Sequence, residues 1–243
     1  MILELDIGNS RIKWRLLDRS ELVVQTGCAD HIEQLLTVLQ EADWSIRACR
    51  VCVVRSAVGS KAEHSRLLQT VVQGQILFAE SSACLAGVIN GYPQPAQLGI
   101  DRWLAVVAGY RQLSAACVVI DAGTAITVDY VRNGGQHLGG MIAPGVSLLE
   151  KSLGDATGLP VGARSFMEGP QIDTVGCLST GVGYMVRGFL SAVQHNAELL
   201  LGDDVQFLLA GGDALLIKPF FESARLADDL VFKGLALACP IEE

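Results

Sequence analysis

The sequence predicts an α/β protein built in two similar halves, each a mixed sheet flanked by helices. Three observations carry that expectation. An apolar strand runs into Asp-x-Gly and a small polar residue twice, at Asp6-Ile7-Gly8-Asn9-Ser10 and at Asp121-Ala122-Gly123-Thr124-Ala125. Each copy is followed at once by a second strand-like stretch, residues 12–17 and 126–131. Strands and helices then alternate, which is the layer pattern of α/β domains. A chain of 243 residues has room for two domains of about 100–150 residues each. The expected division is 1–113 for an N-terminal domain and 114–243 for a C-terminal one.

The elements follow in order. Residues 2–7 put Leu3, Leu5 and Ile7 on one strand face, and 13–17 and 21–24 return as antiparallel neighbours. Residues 31–41 carry helical spacing through Ile32, Leu35, Leu36 and Leu39, with Asp30 placed to cap them. A strand at 50–55, a helix at 61–73 and a strand at 75–78 come next. Two prolines and two turn residues make Asn90-Gly91-Tyr92-Pro93-Gln94-Pro95 a loop. Gly99-Ile100-Asp101-Arg102 leads into a helix spaced by Trp103, Leu104, Val107 and Tyr110, a bridge between the halves. The strand pattern restarts at 116–120, turns at Asn133-Gly134-Gly135 and enters Gly139-Gly140-Met141 as a further strand. Helices are expected at about 146–153 and 177–201, then a strand at 205–210 running into Gly211-Gly212-Asp213. A short strand near 230–232 and a small helix close the pattern.

Composition narrows the class. Half of the residues are hydrophobic and 18% are charged, enough to bury a substantial core and too apolar for disorder. A net charge of −8 argues against broad contact with nucleic acid or an anionic membrane, while leaving room for a local anion pocket. No stretch has the length of a membrane span, and the first strand carries Glu4 and Asp6 where a secretory signal would be apolar. Seven scattered cysteines read as reduced thiols of a cytoplasmic protein. Cys49 and Cys52 have Cys-x-x-Cys spacing, but on a strand they point to opposite faces, so they read as core residues.

Two carboxylates, each beside a glycine turn rich in backbone N–H groups, suit a phosphate chain and its cation. Gly8 allows backbone angles closed to other residues, Asn9 and Ser10 add donors, and Lys13 can reach a phosphate from the return strand. A Gly-Asn hairpin alone would be ordinary; the second copy shifts the weight toward function. There Thr124 supplies a hydroxyl and Asp121, at the strand tip, can share a cation with substrate oxygens. Asp129 either adds a carboxylate nearby or lies at the surface. The glycines of Leu208-Leu209-Ala210-Gly211-Gly212-Asp213 admit a flat ring such as a nucleotide base, or simply make a tight connection. Asp101 and Arg102 open the bridge helix, where unpaired N–H groups and the dipole favour anions. Gly99 lets a ligand approach, Arg102 can fork onto a carboxylate, and Asp101 can accept a hydroxyl proton. An acidic residue in a first helical turn is also a routine dipole partner; the neighbouring Tyr92 loop favours the functional reading.

Together, Asp6-x-Gly8-Asn9-Ser10, Gly99-Ile100-Asp101-Arg102, Asp121-Ala122-Gly123-Thr124-Ala125 and Gly139-Gly140-Met141-Ile142-x-Pro144-Gly145 resemble type III pantothenate kinase, of the acetate kinase/sugar kinase/Hsp70/actin superfamily. The resemblance runs in order to Phe232-Lys233-Gly234-Leu235. It implies two ribonuclease-H-like domains in an actin-like ATPase architecture, with ATP between them. Asp6, Ile7, Gly8, Asn9, Ser10, Arg11, Ile12 and Lys13 would bind the ATP phosphates, and Thr124 would add a second phosphate contact. Asp121 would hold potassium or ammonium, magnesium would travel with ATP, and the late Gly-Gly would serve the adenosine. Pantothenate would lie against Tyr92, Gly99, Ile100, Asp101 and Arg102, with Thr180 of Ser179-Thr180-Gly181. Asp101 would accept the proton, and the product would be 4′-phosphopantothenate, the first step of coenzyme A synthesis. A homodimer through the second-half helices is implied as well. Two rivals are another small-molecule kinase of the superfamily and a non-catalytic accessory of transcriptional regulation. Gly99-Ile100-Asp101-Arg102 weighs against the first; the intact Asp6, Asp101, Arg102 and Asp121 weigh against the second. Residues 155–176 are assigned no catalytic part.

Overall fold

The computed structural model describes residues 1–42, 44–54, 59–162 and 166–241. Contacts divide the chain into two units, one of Met1–Arg111 with Asp229–Glu243 and one of Gln112–Asp228. Among the described residues no helix is long and apolar enough to cross a membrane.

The first unit comprises β1 (Ile2–Ile7), β2 (Ile12–Leu17), β3 (Val23–Ala29), α1 (Ile32–Glu41), β4 (Ile46–Val53), α2 (Lys61–Leu68) and β5 (Val72–Phe78). A two-stranded ribbon, β6 (Cys84–Leu85) with β7 (Val88–Ile89), leads to α3 (Ile100–Leu113). The sheet order is β3-β2-β1-β4-β5, antiparallel on the β2 side of β1 and parallel on the β4 side. Leu3, Leu5 and Ile7 pack with Leu35, Leu36 and Leu39 of α1 and Leu68 of α2. Leu3 and Leu5 are fully buried.

Local chemistry accounts for most boundaries and for three departures from expectation. Asp30 does not cap α1; its own N–H donates to the Gln34 side chain at 2.9 Å, and the cap position falls to His31. The helix α2 stops at Leu68, short of the expected 73, because the β-branched residues Val71 and Val72 lead into β5. Its start is a capping box, with Ser60 and Glu63 each bonded to the other's backbone N–H. Strand β4 begins four residues before the expected 50, since it pairs along β1 from Ala48 and along β5 from Ile46. Arg55, the expected strand end, lies outside the described residues.

The second unit repeats the plan. It comprises β8 (Cys117–Ala122), β9 (Ala125–Val131), β10 (His137–Pro144), α4 (Val146–Thr157), α5 (Thr174–Leu201), β11 (Gln206–Ala210), α6 (Ala214–Ile217) and β12 (Arg225–Leu226). Its sheet order, β10-β9-β8-β11-β12, matches the first sheet strand for strand, with the same parallel and antiparallel pattern. That is the duplicated mixed-sheet plan expected of ribonuclease-H-like domains. Val118 and Ile120 of β8 pack on Val182, Val186, Leu190 and Val193 of α5. Asp173 caps α5 by accepting from the Gly176 N–H at 2.8 Å, and Gly158 ends α4 in the left-handed region at φ 71°. Asp129 is not a surface residue: it is buried and meets the buried His137 ring, Oδ1 to Nε2, at 2.9 Å.

The chain returns to the first unit for α7 (Leu230–Ala238). Residues 230–232, expected as a strand, are its first turn. Gly234 explains the docking, because a Cβ there would fall within the van der Waals radius of the Leu104 carbonyl of α3. The segment 229–241 therefore packs with the N-terminal unit, and not with the residues that precede it in the chain.

Charge secures this return. Glu4, fully buried, bonds Arg15 and also Arg50, the latter at 2.9 Å. Arg50 reaches Glu21 at 2.6 Å and donates from Nε to the Cys239 carbonyl at 2.8 Å. Arg15 lies 3.3 Å from Asp229 and 4.7 Å over the Phe232 ring. Arg50→Ala should lower the unfolding free energy by about 1.5–3 kcal/mol, because it removes one of the two guanidinium partners of a buried carboxylate. Urea unfolding followed by circular dichroism measures this; a change below about 1 kcal/mol would make the cluster ornamental.

Candidate functional site

In the first unit the expected site residues fall on two neighbouring places: the β1–β2 turn and the start of α3. Asp6 is half-buried at the end of β1, while Asn9, Ser10, Arg11 and Lys13 are exposed. Gly8 corrects the sequence reading, since its φ is not positive. Its N–H donates to the Arg11 carbonyl at 3.2 Å, and a Cβ would stand 3.3 Å from that oxygen. The glycine serves close approach rather than an unusual angle. Ile7 and Ile12 are buried and hold the two sides of the turn to the core. Lys13 pairs in register with Asp6 across the antiparallel strands, which puts both on one sheet face.

At the other place, Ile100 and Arg102 are buried and Asp101 is half-buried. The Arg102 N–H donates to Asp101 Oδ1 at 2.8 Å, and Arg102 Nη1 donates to the Tyr92 hydroxyl at 3.2 Å. The Tyr92 ring centroid lies 6.0 Å from the guanidinium carbon. A Cβ on Gly99 would come within 2.8 Å of Asp101 Oδ1, so this glycine clears the space the carboxylate occupies. Asn90 shapes the Tyr92 loop. Its side chain donates to the Ser82 and Pro95 carbonyls at 3.1 and 3.4 Å and accepts from the Tyr92 N–H at 3.0 Å. Sequence reading took Asn90 only as a turn residue.

A residue that the reading set aside as core ties the two places together. The buried Cys52 of β4 stands in register with Asp6, and the Asp6 and Asp101 carboxylates both act on its thiol. Burial first, then those two negative charges, push its pKa well above the ordinary thiol value. At neutral pH it is therefore a neutral thiol.

The second unit brings Asp121 and Thr124 together with residues from two later turns. The Gly123 N–H donates to the Ala125 carbonyl at 2.9 Å, closing the β8–β9 turn. The Gly145 N–H donates to the Thr124 carbonyl at 3.0 Å, and a Cβ on Gly145 would collide with the Gly123 backbone. Gly145 also caps the N-terminus of α4. Gly211, at φ 97°, leaves no room for a Cβ against Asp121 Oδ1 and the Ala122 carbonyl. The Asp213 N–H completes the brace by donating to that carbonyl at 2.9 Å. Asp121 Oδ1 and the Ala122 carbonyl thus lie together beside Gly211, oxygen donors of the hard kind that alkali cations prefer. Thr180 is buried on α5 and lines a cleft of about 370 Å³ with Gln171, Cys177, Gly181 and Tyr184. Its hydroxyl has no hydrogen-bond partner among the described residues.

A sequence model of type III pantothenate kinase matches residues 2–196. The chain is 44% identical to the type III pantothenate kinase of Pseudomonas paraeruginosa strain PA7 over the full length of both chains. It is 40% identical to that of Azotobacter vinelandii, covering 99% of each. Among solved structures, a protein of the Baf family of transcriptional activators from Campylobacter jejuni superposes with a TM-score of 0.62 at 24% identity, covering 96% of this chain and 94% of that one. The activator of 2-hydroxyisocaproyl-CoA dehydratase from Clostridium difficile, with ADPNP bound, gives 0.51 at 12% identity, covering 98% and 92%. These two likenesses establish the fold, that of actin-like ATPases and sugar kinases.

Gly99→Ala is a direct test of the site geometry. The added methyl group would push the Asp101 carboxylate aside, and misplacement of this order costs about 10²-fold in turnover. Thermal stability should change little. Steady-state kinetics with a parallel melt would read both, and unimpaired turnover would remove the spacing of Gly99 and Asp101 from the site.

Proposed function

This chain belongs to the type III pantothenate kinase family, and we propose how its residues divide the work of moving a phosphoryl group from ATP to pantothenate. Asp6, Ile7, Gly8, Asn9, Ser10, Arg11, Ile12 and Lys13 form the turn that receives the ATP phosphates, with Thr124 as a second contact. Arg102 binds the pantothenate carboxylate, held in its orientation by the Tyr92 hydroxyl. Gly99 and Ile100 line the acceptor, and Thr180 offers it a hydroxyl. Asp101 takes the proton from the acceptor hydroxyl as its oxygen attacks the γ-phosphorus and the bond to ADP breaks.

The observation that carries this division lies within the first unit. Asp6 stands in register with Cys52 on the adjoining strand, and the Asp101 carboxylate acts on that same buried thiol, which supports one site shared by the turn and the start of α3. Phosphoryl transfer depends chiefly on placement and charge stabilisation, and a turn and a helix start carried on the same unit serve the first. Asp101 is held by the Arg102 N–H, which keeps it in the first turn of α3 and on the acceptor side.

Asp121 fits a monovalent cation, potassium or ammonium, on the strength of its carboxylate and the Ala122 carbonyl lying together beside Gly211. Such an ion, when bound, would offset negative charge on the nucleotide; magnesium accompanies ATP. We assign a homodimer to the exposed apolar residues of α5, among them Tyr184, Met185 and Leu199. The cytoplasm is the compartment that suits its unpaired thiols.

Purified protein should release ADP from ATP only when pantothenate and potassium or ammonium are both present. Sodium alone should leave it nearly idle, and Asp121→Asn should remove the distinction between the cations. Asp101→Asn should cut kcat by about 10²–10⁴-fold while pantothenate binding, read by calorimetry, stays nearly constant. Turnover retained in that variant would remove Asp101 as the base. Analytical ultracentrifugation should give twice the chain mass, and Met185→Glu should shift the distribution toward monomer. A wild-type monomer at micromolar concentration would refute the dimer.

A further inference from the structure

Between Asn90 and Leu98 no residue of the Tyr92 loop is buried, so the loop has no apolar anchor of its own. Polar groups fasten its two ends. At the exit, the Ser81 hydroxyl donates to the Leu98 carbonyl at 2.9 Å, one residue before Gly99. At the entrance stands Asn90, buried at the end of the β6–β7 ribbon, with its backbone N–H donating to the Ala83 carbonyl at 2.9 Å. Its side-chain oxygen receives the Tyr92 N–H at 3.0 Å. Its side-chain nitrogen donates to the Ser82 carbonyl at 3.1 Å and to the Pro95 carbonyl at 3.4 Å. One amide thus joins the ribbon, the segment that carries Tyr92 and the 3-10 turn Pro95–Gln97 that leads towards α3.

An amide of this length meets all three demands at once. A carboxylate would keep the acceptor for Tyr92 but face two carbonyl oxygens with no proton to give, and an alanine would remove all three bonds. The Tyr92 hydroxyl in turn accepts from Arg102 Nη1 at 3.2 Å, with the ring centroid 6.0 Å from the guanidinium carbon. We propose that Asn90 is a positioning residue of the acceptor site. Through the Tyr92 main chain it sets the Tyr92 hydroxyl, and through that hydroxyl the direction in which Arg102 presents its guanidinium to the acceptor carboxylate. Asn90 reaches the substrate only through Tyr92 and Arg102. A two-bond fork onto a carboxylate needs the guanidinium plane fixed. A loosened Tyr92 therefore weakens binding of a carboxylate-bearing acceptor and leaves the nucleotide untouched. The alternative is that Asn90 merely keeps the loop folded, with no directed effect on Arg102.

The proposal rests on the assignment of Arg102 to the pantothenate carboxylate, and the test tells the two apart. Wild type, Asn90→Ala, Tyr92→Phe, the double variant and Arg102→Gln are compared in pantothenate and Mg·ADP binding by calorimetry, in steady-state kinetics and in thermal melts. Asn90→Ala should weaken pantothenate affinity and raise its KM by about fivefold, the effect of one modest hydrogen bond, with kcat, KM for ATP and Mg·ADP affinity within about twofold of wild type. In the Tyr92→Phe background the same substitution should cost less than about twofold, because the hydroxyl through which it acts is gone. Asn90→Asp keeps the oxygen for the Tyr92 N–H and carries the same comparison, with the same expected non-additivity, if the alanine variant fails to fold. Unchanged pantothenate affinity in Asn90→Ala overturns the proposal. So do losses that add up in the double variant, or equal losses for both substrates alongside a lowered melting temperature, which mark a loop that has simply come loose. Undiminished pantothenate affinity in Arg102→Gln would strike the carboxylate assignment and the proposal with it. A loss there with none in Asn90→Ala strikes the proposal alone.

Discussion

The first unit depends on one carboxylate that water cannot reach. Glu4 sits in the middle of β1, flanked by Arg15 and Arg50 on the adjoining strands. An isolated charge at such a position would cost several kcal/mol, so the strand is tolerable only with both cations in place. Those cations in turn need partners of their own. Arg15 finds Asp229 and the Phe232 ring, and Arg50 finds Glu21 and the Cys239 carbonyl. Three of these four groups belong to the last fifteen residues of the chain. Satisfying Glu4 therefore draws the C-terminal segment back onto the N-terminal sheet. The same demand orders the centre of that sheet, because β1, β2 and β4 must be in register for the row to close.

The site chemistry grows from the end of this same sheet. Moving one row along the strands replaces two arginines by an exposed lysine and a buried thiol, and the carboxylate changes character with them. Glu4 bonds two arginines, whereas Asp6 stands in register with Lys13 and Cys52. The second unit shares the strand order but not this pattern. Of its buried carboxylates, Asp129 lies on the second strand and its neighbour is His137 on the third. Its turn is braced by backbone contacts from Gly145 and Gly211 and owes little to side-chain charge. A duplicated plan thus supports two different turns, one stiffened by an ion cluster beneath it and one by glycine packing around it.

Much of this was legible in the residues, and the exceptions have physical causes. The Asp-x-Gly turns, the strands on either side of them and the helix opening at Ile100 are short-range features, encoded by neighbours in the chain. Residues 230–232 looked like a strand because three large apolar residues in a row have no helical period of their own. Their helical state comes from docking on α3, where Gly234 meets Leu104. Gly8 invited an argument from backbone freedom, whereas the turn needed only its small size against the Arg11 carbonyl. Asn90 read as a loop marker, and its three side-chain hydrogen bonds reach residues up to eight positions away.

The sequence by itself determined the duplicated α/β plan, the family, and the two turns with the helix start between them. Those depend on local backbone requirements and on motifs that keep their order along the chain. Only the tertiary structure decided which side chains face each other across strands. The Glu4 row, the Asp6–Cys52 register, the Asp129–His137 pair and the return of α7 all join residues distant in the chain. Their meeting is set by strand register and by the need to satisfy buried charge, and neither quantity can be read from nearest neighbours.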